Sequence, residues 1–204
     1  MNRFYRLFSL LAMSALVFGL TSCAEGPKIS REAASEQIDL SGDWNDTDSQ
    51  LVSGEMVKDS LARPWVDDFV ANKKTKPRVI VGTVLNKSHE HINTETFVKD
   101  LERELTNSGR VKFVASREQR DEVRSERADQ ARNASVASMK SAGQEAGADF
   151  MLKGQINTIM DEAGKKALKY YQIELELIDM ATSEKVWIGQ KKIKKLVERS
   201  SHKF

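Results

Sequence analysis

The sequence predicts an α+β domain in which helices flank a mixed β-sheet, and two observations support this fold class. First, apolar residues recur every three or four positions in several segments before Phe150 and at every second position after it, so helices precede a strand-rich end. Second, a strand–helix–strand order precedes three consecutive strands with no helix between them. The first arrangement is typical of parallel strands and the second of an antiparallel meander, and together they predict a mixed sheet.

The domain is predicted to begin with a helix near Ser49. Either Ser49 or Asp48 can cap this helix, whose apolar residues recur every four positions. These residues are Val57, Leu61, Trp65 and Phe69. Pro64 must break or restart the helix, because proline has no amide proton to donate.

A strand, a helix and a second strand follow. Residues 78–85 are dense in β-branched side chains and predict a buried strand. Asn93 or Thr94 begins a helix that Gly109 terminates, and residues 111–114 form the next strand. One face of the helix is apolar and consists of Phe97, Val98, Leu101 and Leu105. Since a helix connects the two strands, they should run parallel through a right-handed crossover.

A strongly charged helix is predicted next. Ser116 with Gln119 is a capping-box pattern, and residues 117–132 contain five arginines, five acidic residues and a single large apolar residue, Val123. Such a helix has too little apolar surface to be held by packing alone. It is either a solvated helix laced with ion pairs between residues three or four apart, or a helix that contacts another protein.

Four arginines of this helix are the predicted partner-binding residues. They are Arg117, Arg120, Arg124 and Arg127. Spacings of three, four and three positions place them on one helical face. Because the forked guanidinium suits a carboxylate across an interface better than an ammonium does, we expect this face to meet a partner protein. The loop around His89 is the alternative contact site.

Three strands complete the predicted fold after a further short helix. The helix contains Val136 and Met139, and Gly143 and Gly147 bracket its end. The strands are predicted at residues 150–160, 168–178 and 186–193, with turns around Gly164 and around Thr182 and Ser183. On the middle strand, apolar residues alternate with polar ones, so one face should be buried and the other solvated.

The last strand requires a choice of phase. We expect Val186 and Ile188 to face the core and Trp187 to form part of a partly exposed aromatic surface. Four lysines flank Ile193 on this strand: Lys191, Lys192, Lys194 and Lys195. They are expected to protect a sheet edge from aggregation, with a surface for an acidic partner as the alternative.

The N-terminus has the features of a bacterial lipoprotein signal. Arg3 and Arg6 precede an uncharged apolar run at residues 7–20, which is too short to span a bilayer as a mature helix. The run ends in Leu-Thr-Ser before Cys23, the only cysteine of the chain, and this sequence resembles a lipobox. We therefore expect acylation of Cys23, with an ordinary signal peptide and a chance cysteine as the alternative. Ala24 rather than aspartate after the cysteine favours the outer membrane over the inner.

Four segments follow from these patterns. We predict a lipoprotein signal peptide at residues 1–22, a lipidated cysteine and flexible tether at 23–48, a globular domain at 49–198 and a C-terminal tail at 199–204. The precursor has 32 basic and 30 acidic residues, and removal of the two arginines in the signal leaves equal numbers. Charge therefore gives no argument for nucleic acid as a partner.

Candidate chemistry is sparse. His89, Glu90 and His91 are adjacent, but the only other histidine is His202 in the tail, so a solvated loop is expected rather than a metal site. No activated serine, phosphate-cradling glycine loop or paired cysteine and histidine framework appears. We expect no catalytic residue, no cofactor and no metal, which favours a binding protein over an enzyme.

Several segments resemble the LpoB family of outer-membrane lipoproteins. The matching segments are DLSGDWNDTDS at 39–49, NKS at 86–88, FVASREQRDEVRSER at 113–127, GADFMLKGQI at 147–156, YYQIELELID at 170–179 and VWIGQ at 186–190. The resemblance implies a fold like the N-terminal domain of TolB, a lipid anchor at Cys23, and binding and activation of a bifunctional penicillin-binding protein, the synthase of peptidoglycan. Enteric members carry a long, proline-rich tether, whereas residues 24–38 here contain one proline.

A second class of function stays open. A structural lipoprotein of an envelope assembly, related to the CsgG group or to secretion or flagellar-ring components, would have a similar periplasmic domain. That group adds membrane-inserting amphipathic hairpins. No pair of alternating ten-residue segments around a turn with this character is evident in the sequence, which favours the synthase activator.

Overall fold

Helices α1 to α4 and strands β1 to β5 follow one another in the part of the chain that the computed structural model describes, residues 29–33, 36–135, 137–138 and 145–198. In chain order they are α1 (Asp46–Leu61), α2 (Trp65–Lys73), β1 (Arg78–Lys87), α3 (Thr94–Asn107), β2 (Lys112–Phe113), α4 (Arg117–Asn133), β3 (Phe150–Ala163), β4 (Lys166–Asp179) and β5 (Lys185–Glu198). All of them belong to one unit, Gln37–Phe204, which is distinct from Met1–Glu36. No helix among the described residues is long and apolar enough to cross a membrane.

The strands form one mixed sheet in the order β2-β1-β3-β4-β5. Strand β1 runs parallel to both β2 and β3, and β3, β4 and β5 form an antiparallel meander. This arrangement confirms the predicted α+β class with a parallel start and an antiparallel end. Strand β2 is shorter than predicted and comprises two residues, Lys112 and Phe113, which pair with Arg78 and Val79.

The hydrophobic core lies on one face of the sheet, where α1 and α3 pack. Tyr171, Ile173, Leu175 and Leu177 of β4 face this core, as the alternation predicted. Side chains of the opposite face stay accessible, and Ile159 is 65% exposed. The prediction of a buried strand at 78–85 is therefore only half right. Val79 and Val84 are buried, but Leu85 faces the open side and is 49% exposed.

Local chemistry sets the ends of the helices. Asn45 caps α1 in a capping box with Asp48, so the helix begins earlier than the predicted cap at Ser49 or Asp48. Pro64 lies between α1 and α2 and is the N-cap residue of α2, which confirms the predicted break. Gly109 follows α3 with a φ of 64°, a conformation that glycine adopts without steric cost.

The predicted phase of β5 is wrong. Trp187 is buried, whereas Ile188 is 61% exposed and Val186 is partly buried at a bulge opposite the end of β4. The indole lies over Gly189, where an added Cβ would come within 2.2 Å of the ring. Its Nε1 donates a hydrogen bond to Asp59 of α1 at 2.9 Å. The missing side chain at Gly189 and this polar partner let the largest residue of the strand face the helices.

Some predictions fall outside the described residues. These are the signal segment with Cys23, the helix around Val136 and Met139 with its end at Gly143, and the tail at 199–204. Gly147 is described and lies in irregular backbone before β3.

Candidate partner-binding surface

Helix α4 carries the predicted arginine face. Its start is fixed by a capping box in which Ser116 accepts from the amide of Gln119 and the side chain of Gln119 accepts from the amide of Ser116. The helix buries none of its residues, as its composition predicted, and Val123 is 45% exposed. Charge rather than packing therefore determines what this helix contacts.

Three of the four predicted arginines converge on one carboxylate, that of Glu145. Arg124 binds it through two hydrogen bonds, from Nε at 2.8 Å and from Nη2 at 2.7 Å. Arg120 and Arg127 each place a guanidinium nitrogen 3.8 Å from the same carboxylate. We call these four residues the arginine–Glu145 cluster. Arg117, the fourth predicted residue, lies at the first position of α4 and does not belong to it.

The cluster keeps Glu145 ionised. Hydrogen bonding from Arg124, with the charges of Arg124, Arg120 and Arg127, lowers the pKa of Glu145. The same hydrogen bond, with a second one to Asp121, raises the pKa of Arg124. Guanidinium groups bind planar anions in a bidentate manner, and here Arg124 holds the carboxylate of Glu145 in this way.

A second polar network fixes the segment before α1, residues 39–45, which we call the strap. The amide of Trp44 donates to Glu90 at 3.1 Å, and the hydroxyl of Tyr171 lies 2.7 and 2.8 Å from the two oxygens of that carboxylate. Lys169 pairs with Glu90 at 2.9 Å and also with Asp43. The indole of Trp44 packs against the rings of Phe97 and Tyr171. The strap is thus docked on the domain by both charge and packing.

Lys195 joins the strap to α1 and β5. Its Nζ lies 2.9 Å from Asp39 and 2.6 Å from Asp48, and it donates to the carbonyl oxygen of Asp43 at 3.0 Å. Burial works against the charge on Lys195, but the hydrogen bonds to Asp39 and Asp48 outweigh it and raise its pKa. Gly42 approaches Val197 so closely, with a φ of 68°, that a side chain there would collide with Val197.

Comparison with known proteins assigns the family. The family model described as peptidoglycan-synthase activator LpoB matches residues 48–193. The chain belongs to the LpoB family. A comparison with curated protein sequences gives no match.

The solved structures to which the chain is similar include proteins of this family. The C-terminal domain of LpoB from Salmonella enterica is 17% identical with a TM-score of 0.36, over 64% of this chain and 93% of that one. LpoB from Escherichia coli is 15% identical with a TM-score of 0.37, over 89% of this chain and 86% of that one. Lipoprotein GNA1162 from Neisseria meningitidis is 15% identical with a TM-score of 0.37, over 61% and 87% of the two chains.

In this LpoB-family chain, the loop around His89 is only partly solvated. His89 and His91 are exposed, but Glu90 between them turns inward to the strap and Tyr171. Among the described residues, no three potential metal ligands come together. Glu90 therefore contributes to holding the strap, while the two histidines of the loop remain exposed.

The lysines of β5 divide between two roles. Lys192 and Lys194 are exposed on the open face of the sheet, where they fit the predicted edge protection. Lys191 and Lys195 instead face the helices, where Lys191 pairs with Glu55 of α1 and Lys195 pairs with the strap. Strand periodicity separates the two pairs, but the acidic partners lie far away in sequence and could not be recognised from it.

Proposed function

We propose that this LpoB-family protein is a periplasmic lipoprotein, anchored in the outer membrane, that binds and activates a bifunctional penicillin-binding protein. The observation that carries the proposal is the match of residues 48–193 to the family described as peptidoglycan-synthase activators. The match extends from α1 into β5, so it includes most of the sheet and its helices. The protein acts as a regulator, and the synthase supplies the catalytic groups.

The anchor is the acylated Cys23, which follows a signal peptide at residues 1–22. Two or three acyl chains on one residue hold a protein to a bilayer where a single chain does not. Because the strap is docked on the domain, we place the end of the free tether just before Asp39. A fully extended stretch from residue 23 to 38 then reaches roughly 55 Å, at about 3.4 Å per residue.

The synthase contacts the arginine face of α4, formed by Arg117, Arg120, Arg124 and Arg127. An exposed, arginine-rich helix that buries nothing in its own domain supports this assignment. The bidentate geometry at Arg124 supports it further, because the same geometry can hold a carboxylate of another protein.

A double charge reversal tests the proposal. Arg120→Glu with Arg124→Glu should leave the melting curve nearly unchanged, since α4 contributes no buried residue. Stimulation of glycan-chain synthesis by the purified synthase should fall by about tenfold or more, because like charges then face each other across the interface. Arg132→Glu is the matched control, since Arg132 is on the same helix, has a 72% exposed side chain and lies outside the cluster. Full stimulation by a folded double variant would place the interface elsewhere.

A further inference from the structure

The arginine–Glu145 cluster is electrically unbalanced. One carboxylate faces three guanidinium groups, those of Arg120, Arg124 and Arg127. Asp121 adds a second carboxylate at 2.6 Å from Nη1 of Arg124, the arginine that Glu145 already holds. Arg120 and Arg127 therefore share the single charge of Glu145 with the better-placed Arg124. The contacts of the three guanidinium groups with Glu145 and Asp121 thus leave fewer carboxylates than guanidinium groups in this patch.

The cluster is also open to water. The side chain of Glu145 is 30% exposed, and those of the three arginines are 28 to 50% exposed. Surface ion pairs contribute little net free energy, because water solvates both partners well when they separate. Glu145 can therefore leave the cluster without a large loss, provided that another carboxylate replaces it.

The contact between Glu145 and α4 does not support the hydrophobic core. Helix α4 has no buried residue, and Glu145 itself precedes β3 in irregular backbone. The contact instead joins two exposed segments that are 21 positions apart in the chain. A contact of this kind is suited to exchange rather than to permanent structure.

We propose that the arginine–Glu145 cluster is a carboxylate-binding site that Glu145 fills in the free protein, and that an acidic segment of the synthase displaces Glu145 on docking. The proposal rests on the proposed function and specifies the chemistry of the partner. Charge complementarity selects the occupant, since three guanidinium groups around one carboxylate favour a chain that brings several carboxylates. Glu145 thereby competes with the synthase for the arginines and lowers the affinity of the free protein for it.

Neutralising the competitor tests this directly. Glu145→Gln in the mature protein should bind the synthase about five- to tenfold more tightly, if Glu145 leaves roughly a tenth to a fifth of free molecules competent to bind. The same variant should also bind a fluorescently labelled hexaglutamate peptide more tightly than the wild-type protein does. Binding of both ligands should depend more steeply on salt, because more charges of the cluster are then available to the ligand.

Two control variants define the specificity of the effect. Glu126→Gln removes the same charge from α4 two positions after Arg124, about 200° around the helix axis, and should leave both affinities unchanged. Glu145→Asp retains the charge and should remain near wild type. Unchanged melting curves establish that all variants are folded.

The outcomes separate this inference from the proposed function. Equal or weaker binding of hexaglutamate by Glu145→Gln would overturn the inference, because Glu145 would then organise the arginines or be irrelevant to them. Tighter hexaglutamate binding, without any binding of a synthase by either protein, would uphold the carboxylate site and reject the synthase as its occupant. Tighter binding of both ligands is the expected result.

Discussion

Lys195 holds three parts of the molecule together with one ammonium group. It reaches Asp39 and Asp43 of the strap and Asp48 of α1, and its side chain is only 12% exposed. Removing the charge would leave Asp48, which is itself buried, without its cationic partner. A buried carboxylate without such a partner is costly, because the protein replaces water poorly as its solvent.

The first prediction concerns this group. Lys195→Met should lower the free energy of unfolding by about 1–3 kcal/mol, as expected when a partly buried charged hydrogen-bond partner is lost. Lys194→Met on the open face of the same strand is the control and should change it by less than about 0.5 kcal/mol. Denaturant titration of both variants gives the comparison. Equal effects would show that the Lys195 contacts do not stabilise the fold.

Trp187 and Ile188 form a second informative pair. Trp187→Ala should lower the free energy of unfolding by about 3–5 kcal/mol, because it empties a buried site between β5 and α1. Ile188→Ala should change it by less than about 0.5 kcal/mol, since that side chain is mostly in water. A larger loss for Ile188→Ala in the same titration would reverse the phase assigned to β5.

The phase of β5 shows that a strand pattern predicts which residues share a face but not which face is buried. Alternation fixes a period of two, but Val186, Trp187 and Ile188 are all apolar, so it cannot decide which of them faces inward. Gly189 was the one local feature of the sequence that could have indicated that Trp187 faces inward. A glycine two positions after a tryptophan lies on the same face and leaves room for the indole. The hydrogen bond to Asp59 also holds Trp187 inward, but Asp59 is 128 positions away and a local sequence pattern cannot reveal it.

At the scale of elements, the strap is an ionic attachment whose strength depends on pH. Hydrogen bonding to Lys195 lowers the pKa of Asp39, and hydrogen bonding to Lys169 lowers that of Asp43, in both cases below the usual value of 3.8. A depressed carboxyl pKa stabilises the docked state fully above the usual value, and the stabilisation is lost as the pH falls through the lowered pKa. The strap should therefore stay docked at neutral pH and loosen in acid.

Hydrogen exchange measures this loosening. The Trp44 amide, which donates to Glu90, should lose protection as the pH falls below 3.8, beyond the intrinsic change of the exchange rate. Asp43→Asn should already show reduced protection at neutral pH and a weaker dependence on pH. The ion pairs that hold the strap are partly exposed, so salt screens them. High salt should therefore also reduce the protection of the Trp44 amide in the wild-type protein. Protection that is constant across this range would mean that packing of Trp44 alone holds the strap.

The elements differ in how far the sequence could predict them. Helices α1 to α3 and the meander follow local signals, such as the break at Pro64, the stop at Gly109 and the turn at Gly164. The arginine face of α4 was predictable because helical spacing is local. Its engagement by Glu145 was not, since that contact depends on how the chain returns between α4 and β3. The strap was missed for the same reason, as its partners come from distant strands.

At the scale of the whole molecule, the domain combines a helix-covered sheet with a charged exposed helix. Other helices cover one face of the sheet and bury the core. On α4, three arginines surround the single carboxylate of Glu145. A strap fixed by Lys169 and Lys195 leads into α1. These features fit the proposed role of a regulator that acts by docking on another protein.

The most direct test of synthase activation by this protein is the rate of glycan-chain synthesis by a purified bifunctional penicillin-binding protein of the same organism. Adding the mature, folded protein should raise the initial rate until it saturates, and the Arg120→Glu, Arg124→Glu double variant should not raise it. An initial rate that stays unchanged at high concentrations of the folded protein, for every bifunctional synthase of that organism, would show that the protein does not activate these enzymes.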